Sequence, residues 1–217
     1  MSSIKTIILG TSGASGMIYT IRLINALVSA NVSIYWIVST MGRQVFAHET
    51  QNRHLFSCQY HSSKDLKEYL QSIAVINDTN RHLLTEIQPD NFFAGPASGS
   101  FIHDGMVVVP CSMKSVAAIA NGFSDNLLLR SADVCLKEKR PLILVPRETP
   151  FGKIHLKNML TLADQDVTII PACPGFYMMP ATIIELADFI AARIMDHLKI
   201  SHNVLERWKQ VSGNSKC

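Results

Sequence analysis

A chain of 217 residues that is 47% apolar and 17% charged has the material for one well-buried domain and carries no compositional sign of disorder. A formal net charge of +3, with basic residues scattered apart from Lys137-Glu138-Lys139-Arg140, excludes an obligatory nucleic-acid binder. No apolar run reaches the roughly 18 residues of a membrane span, and no cleavable leader is expected before the first strand. Five cysteines at 58, 111, 135, 173 and 217, with no Cys-x-x-Cys pair, fit thiols kept reduced and point to the cytoplasm.

Ile4 to Gly10 predicts a parallel strand covered on both faces, and Met17, Ile21, Ile24 and Val28 place a helix that runs to Ala30. Between them, Gly10-Thr-Ser-Gly-Ala-Ser-Gly16 packs three glycines and three hydroxyls into one turn. Such a turn lets backbone approach a ligand, and the helix behind it aims free N–H groups at an anion. The motif is neither a Walker A sequence nor Gly-x-Gly-x-x-Gly. Val32 to Val38 predicts a second strand with Ser39-Thr40 at its carboxyl end, before a helix over Met41 to Thr50. Ser39 either faces the same ligand as the first turn or caps the next helix.

Residues 51 to 90 predict a polar surface excursion with short helical pieces such as Asp65 to Leu70. Cys58 and His61 are spaced like half a metal site, with no second pair to complete it. From Phe92 the chain becomes informative again. Ala97-Ser-Gly-Ser100 beside Phe92, Phe93 and Phe101 suits a platform for a flat ring. Gly105 to Ser115 reads as a buried strand ending in a hydroxyl-rich turn, followed by a small-residue helix from Val116 to Asn121. Ser124 to Lys139 predicts a helix bearing Arg130 and Lys137 on one face, two turns apart: either solvated charges or part of a site. Pro141 to Pro146 predicts a strand with Arg147 and Glu148 at its carboxyl end, where ligands gather in an open parallel sheet. A helix over His155 to Leu162, a strand over Val167 to Pro171, a rigid loop holding Tyr177 and an amphipathic helix over Ala181 to Leu198 containing Arg193 complete the pattern. Residues 200 to 210 suit an arm packing on a neighbouring subunit, and the tail to Cys217 reads as disordered. The alternation predicts an α/β, Rossmann-like (flavodoxin-like) open parallel sheet with helices on both faces, a single domain over 1–199 and an arm and tail over 200–217.

The glycine turn, Ala97-Ser-Gly-Ser100, Pro110-Cys-Ser-Met-Lys114, Arg130-Ser-Ala-Asp133, Leu136-Lys-Glu138, Arg147-Glu-Thr-Pro150, Ile154-His-Leu156 and Pro174-Gly-Phe-Tyr177 occur in one order along the chain. This set closely resembles the UbiX-like family of flavin prenyltransferases, over nearly the whole chain except 51 to 90 and the tail. The resemblance implies an enzyme that binds FMN and moves a dimethylallyl group from dimethylallyl monophosphate to N5 and then C6 of the reduced flavin. The product, prenylated FMN, serves UbiD-type decarboxylases, in ubiquinone biosynthesis or aromatic acid decarboxylation. By the same resemblance Gly13, Ala14, Ser15, Ser39, Ser112, Met113, Lys114, Ser115 and Arg147 contact the flavin. Tyr177 and Arg193 take the prenyl phosphate, while Glu49, Arg130, Lys137 and Glu148 also line the site, and Phe92 stands where some relatives carry tryptophan. No metal is implied; a dodecamer with sites between subunits is.

The residue types suit that chemistry. Ionising an allylic monophosphate without a metal needs fixed cations and donors on the leaving group, which Lys137, Arg193 and Tyr177 supply. Glu148 is the expected general acid, Ser15 a relay between it and N5, and Glu49 and Lys137 are counted with them as catalytic. Two other readings compete. An FMN-dependent decarboxylase of the cysteine-peptide class is expected to carry an early histidine and a Pro-x-Met-Asn motif, whereas the first histidine is His48 and the loop reads Pro110-Cys-Ser-Met-Lys114. A non-catalytic flavin-binding protein has no need of Lys137, Glu148, Tyr177 and Arg193.

Overall fold

The computed structural model describes residues 4–52, 54–61 and 65–205. Among these, six strands form one all-parallel sheet in the order β3-β2-β1-β4-β5-β6, the doubly wound arrangement in which strand order reverses between β1 and β4. The strands are β1 (Thr6–Thr11), β2 (Ser33–Val38), β3 (Leu84–Ile87), β4 (Gly105–Cys111), β5 (Leu142–Pro146) and β6 (Thr168–Ile169). The helices are α1 (Met17–Ser29), α2 (Thr40–Glu49), α3 (Leu66–Ser72), α4 (Met113–Ala120), α5 (Leu127–Lys137), α6 (Lys153–Ala163) and α7 (Ile183–His197).

Alternation along each strand divides the core in two. Ile7, Leu9, Trp36, Val38, Val107 and Val109 face α1, α2, α3 and α7, whereas Ile8, Ile37, Met106, Val108 and Leu144 face α4, α5 and α6. Every residue of β4 is buried, as expected of a central strand covered on both faces. α1 and α7 pack together, tied by a bidentate pair in which Arg22 Nε and Nη2 donate to Asp188 at 2.6 and 2.9 Å.

Residues 51 to 90 depart from the expected surface excursion. β3 pairs with β2 at the sheet edge, and Phe56, Tyr60, Leu66, Tyr69, Leu70 and Ile76 are buried in the α1/α7-side core. Tyr60 and Tyr69 both stand edge-on to Phe46 of α2, and Arg43 of α2 donates to the Tyr60 hydroxyl at 3.1 Å and pairs with Glu86 of β3. Burial here is assembled from aromatic side chains spaced through polar sequence, which leaves no periodic trace. Of the expected arm, residues 200–205 are described and turn back on their own chain: Ile200 is buried, and its amide donates to Met195 O at 3.0 Å. The rest of the arm, with Trp208, and the tail to Cys217 lie outside the described residues.

Candidate active site

β1 and β4 deliver their turns to the same crevice at the carboxyl end of the sheet, and Ser12 joins them. Its hydroxyl donates to Pro110 O at 3.0 Å and accepts from the Ser112 amide at 2.7 Å, while its own amide reaches Pro110 O at 3.2 Å. Beneath it, Thr20 donates to Val109 O at 2.7 Å and Trp36 Nε1 to Thr11 Oγ1 at 3.0 Å, so the floor of the crevice is a closed set of buried bonds. Sequence reasoning reads Ser12 as one hydroxyl of the ligand-facing turn, not as the tie to β4, and does not mark Thr20; their partners lie about a hundred residues away.

Gly16 enters α1 at φ 118°, a conformation that disfavours any side chain, and a Cβ there would lie 2.8 Å from the Tyr19 ring. A Cβ on Gly13 would meet the Met41 side chain at 2.7 Å, so the turn and α2 touch through bare backbone. The helix N-terminus behind the turn is not open to an outside anion, contrary to the sequence expectation. Glu49, at the end of α2, accepts from the Gly16 amide at 2.8 and 3.1 Å and from the Met17 amide at 2.7 Å. The protein places its own carboxylate on the positive end of α1.

Ser39 takes the capping role: its hydroxyl accepts from the Gly42 amide at 3.0 Å, which leaves its hydrogen available to a ligand. Ser112 caps α4 in the same way through the Ser115 amide at 3.2 Å, with the two hydroxyls 3.1 Å apart. Met113 is buried in the core, and Lys114 is exposed. Arg147 follows β5. Its Nε donates to Ser15 O at 3.2 Å, and Glu148 accepts from the Thr149 amide at 3.0 Å. Tyr19 is the further polar group here. Burial, reinforced by the Cys173 and Glu49 acids, raises its phenol above the ordinary value in spite of the Arg147 cation, so it stays a neutral donor.

Gly13, Ala14, Ser15, Ser39, Glu49, Ser112 to Ser115, Arg147 and Glu148 therefore meet at one end of one sheet. Gly13, Ser15, Glu49 and Arg147 line a cavity of about 970 Å³ that continues to Val45, Leu55 and Phe56. Of the remaining candidates, Lys137 and Arg193 lie toward the far ends of their helices. Lys137 ends α5, about 15 Å along the axis from its first turn, and pairs with Glu138 at 3.4 Å. Arg130 is held by Asp133 at 2.7 Å and by Ala97 O at 3.2 Å. Arg193 lies about 15 Å along α7 from its start, and Tyr177 is exposed and edge-on to Phe189. The aromatic platform also divides: Phe101 packs under the sheet on Tyr35 and His103, while Phe92 and Phe93 are exposed. Among the described residues, no group of three or more metal-type side chains converges.

The family model described as Flavoprotein matches residues 1–209. The chain is 39% identical to Flavin prenyltransferase UbiX of Pseudomonas aeruginosa over 208 residues, 96% of each chain. It is 41% identical to the protein of the same name from Synechocystis sp. over 205 residues, 94% of this chain and 96% of that one. Among solved structures it is similar to AnUbiX (PadA1) in complex with FMN and dimethylallyl pyrophosphate, with TM-score 0.80, 33% identity and coverage of 96% and 99%. It is similar also to a dodecameric FMN-dependent Ubix-like decarboxylase from Escherichia coli O157:H7, with TM-score 0.78, 34% identity and coverage of 94% and 100%. A PPC decarboxylase mutant at 15% identity and TM-score 0.55, covering 79% and 84%, shares the fold alone.

Proposed function

Because the chain belongs to the flavin prenyltransferases of the UbiX type within the flavoprotein family, we propose that it transfers a dimethylallyl group from dimethylallyl monophosphate to reduced FMN. The observation that carries this reading is the crevice at the β1/β4 reversal, where Ser15, Ser39, Ser112 and Arg147 present hydroxyl and guanidinium donors with no loose carboxylate in the opening turn. That donor set fits a flavin phosphate and polar ring edge: Glu49, which touches the turn, is already engaged by two backbone amides. Reduced FMN, when bound, supplies the electron-rich N5 and C6 positions that receive the prenyl group.

The chain's own work is to cleave the allylic carbon–oxygen bond and manage protons. Arg130, Lys137, Arg193 and Tyr177 hold the donor phosphate, Glu148 gives it a proton as it leaves, and Glu148 with Ser15 takes back the proton that substitution releases. Since Lys137 and Arg193 lie far from Ser15 in their own chain, these cations serve the crevice of an adjacent copy. The site is thus shared in a homo-oligomer, which we assign as a dodecamer. The product goes to a UbiD-type decarboxylase. A cytoplasmic location is supported by free cysteines at 58, 111, 135 and 173, two of which, Cys111 and Cys135, have thiols pushed up to about 12 by burial and stay protonated. Among the described residues no helix is long and apolar enough to cross a membrane.

Anaerobic incubation with reduced FMN and dimethylallyl monophosphate tests the reading. The recovered flavin is expected to gain the mass of one prenyl unit. A flavin of unchanged mass, with the pyrophosphate and longer prenyl donors also tried, would overturn it.

A further inference from the structure

Tyr19 stands in the first turn of α1 and has no part in the reaction described above. Side chains on a helix lean back toward its N-terminus, which in α1 is the end at the crevice. The Tyr19 ring lies against the Gly16 backbone, where a Cβ on that glycine would meet it at 2.8 Å, and it is partly buried against the α1/α7-side core. The peptide beside it is held from both ends. Arg147 Nε donates to Ser15 O at 3.2 Å, and the Gly16 amide donates to Glu49 at 2.8 Å. The phenol thus stands beside a fixed cation and a carboxylate that is already engaged. Both act on it electrostatically, together with Cys173, which opens the loop carrying Tyr177. Among the described residues the Tyr19 hydroxyl has no hydrogen-bond partner, whereas no buried side-chain oxygen or nitrogen lacks one, so this hydroxyl is open to solvent. Burial of the ring keeps it protonated. A packed ring therefore presents one hydrogen that no group of the chain claims.

We propose that the Tyr19 hydroxyl donates a hydrogen bond to a phosphate oxygen of the prenyl donor and is a further substrate-binding residue for the reaction. The inference rests on the prenyl-transfer reading. Position favours that phosphate over the flavin: Cys173 begins the loop whose Tyr177 the same reading sets at the prenyl phosphate, whereas the flavin donors Ser39 and Ser112 begin α2 and α4. Charge favours it too. A phosphate monoester is ionised at neutral pH, and a hydrogen bond to a charged oxygen is stronger than one to a neutral ring carbonyl. A neutral donor beside Arg147 adds to the hold on an anion without adding a second cation to be desolvated.

The test is steady-state prenyl transfer to reduced FMN by the full-length protein, wild type against Tyr19→Phe, which removes the hydroxyl and keeps the ring on Gly16. The variant is expected to lose about tenfold in kcat/KM for dimethylallyl monophosphate, with FMN affinity and the urea midpoint unchanged. Inorganic phosphate, the released product, is a probe with no prenyl chain, and its inhibition constant against the donor is expected to rise by a similar factor in Tyr19→Phe. If the wild type adds no prenyl unit to the flavin, the proposed function fails and this inference with it. If the wild type is active and Tyr19→Phe equals it in kcat/KM, the inference alone is overturned. It is overturned also if FMN affinity falls along with kcat/KM, which would put the hydroxyl on the flavin, if phosphate inhibits both proteins equally, or if the urea midpoint drops in parallel.

Discussion

The Gly16 and Met17 amides lose their charged acceptor when Glu49 is shortened, and they belong to the first turn of the helix that lines the crevice. Glu49→Ala is expected to cost about 1–2 kcal/mol in urea denaturation and Glu49→Gln less, since the amide oxygen still accepts from one of the two. A second residue reports on acid stability. His103 is buried, its Nδ1 3.2 Å from Gly105 O and its Nε2 3.9 Å from Cys135 Sγ, and burial lowers its pKa from 6.5. The unfolded chain takes up this proton near 6.5 while the folded chain stays neutral to lower pH. The stability it protects is thus whole above that value and declines as pH falls toward the folded pKa. Urea midpoints measured between pH 7 and pH 5 are expected to fall less steeply for His103→Gln than for the wild type. Residue types can be read from the chain, so Ser39, Ser112, Arg147 and Glu148 find their strand ends by their position in the βα pattern. The duty of Glu49 toward α1 is unreadable, because a carboxylate 33 residues downstream of the amides it serves leaves no spacing signal.

At the scale of elements, long periodic segments such as α1, α5 and α7 and the continuous apolar runs of β1, β2, β4 and β5 are readable to within a few residues. β3 is not: it is four residues, Leu-Thr-Glu-Ile, with two polar side chains, and it becomes a strand only because β2 offers it a free edge. The same holds for the aromatic group of Phe46, Tyr60 and Tyr69, which draws on α2, α3 and the connection between them. Tyr60 is fully buried and accepts from Arg43, so Tyr60→Ala removes core volume and deprives a half-buried guanidinium of a partner. A loss of about 3–5 kcal/mol is expected in chemical denaturation, with hydrogen exchange over residues 51 to 83 accelerated more than over β4.

At the scale of the whole molecule, the exposed apolar side chains have a common implication. Phe93, Phe123, Ile154, Leu160, Phe176 and Met179 all stand largely in solvent in the single chain, apolar surface that an assembly of copies can cover. On the proposed function, copies of the chain covering these surfaces also bring Lys137 and Arg193 to a neighbour's crevice. A mixing experiment follows from the geometry. On the proposed function, Lys137→Ala and Glu148→Gln proteins are each expected to be slowed as homogeneous assemblies and to recover prenyl transfer when dissociated and reassembled together, because sites shared between chains would then draw an intact crevice from one chain and an intact cation from the other. Recovery without reassembly, or none after it, would contradict sites built from two chains.

The bonds through Ser12 and the carboxylate on α1 have a kinetic meaning as well. A turn pinned within the protein through Ser12 and through the carboxylate on the Gly16 and Met17 amides has little ordering left to do when its ligand arrives. Capture of the flavin is then a matter of encounter and water release, with an association rate proportional to concentration and no slower unimolecular phase behind it.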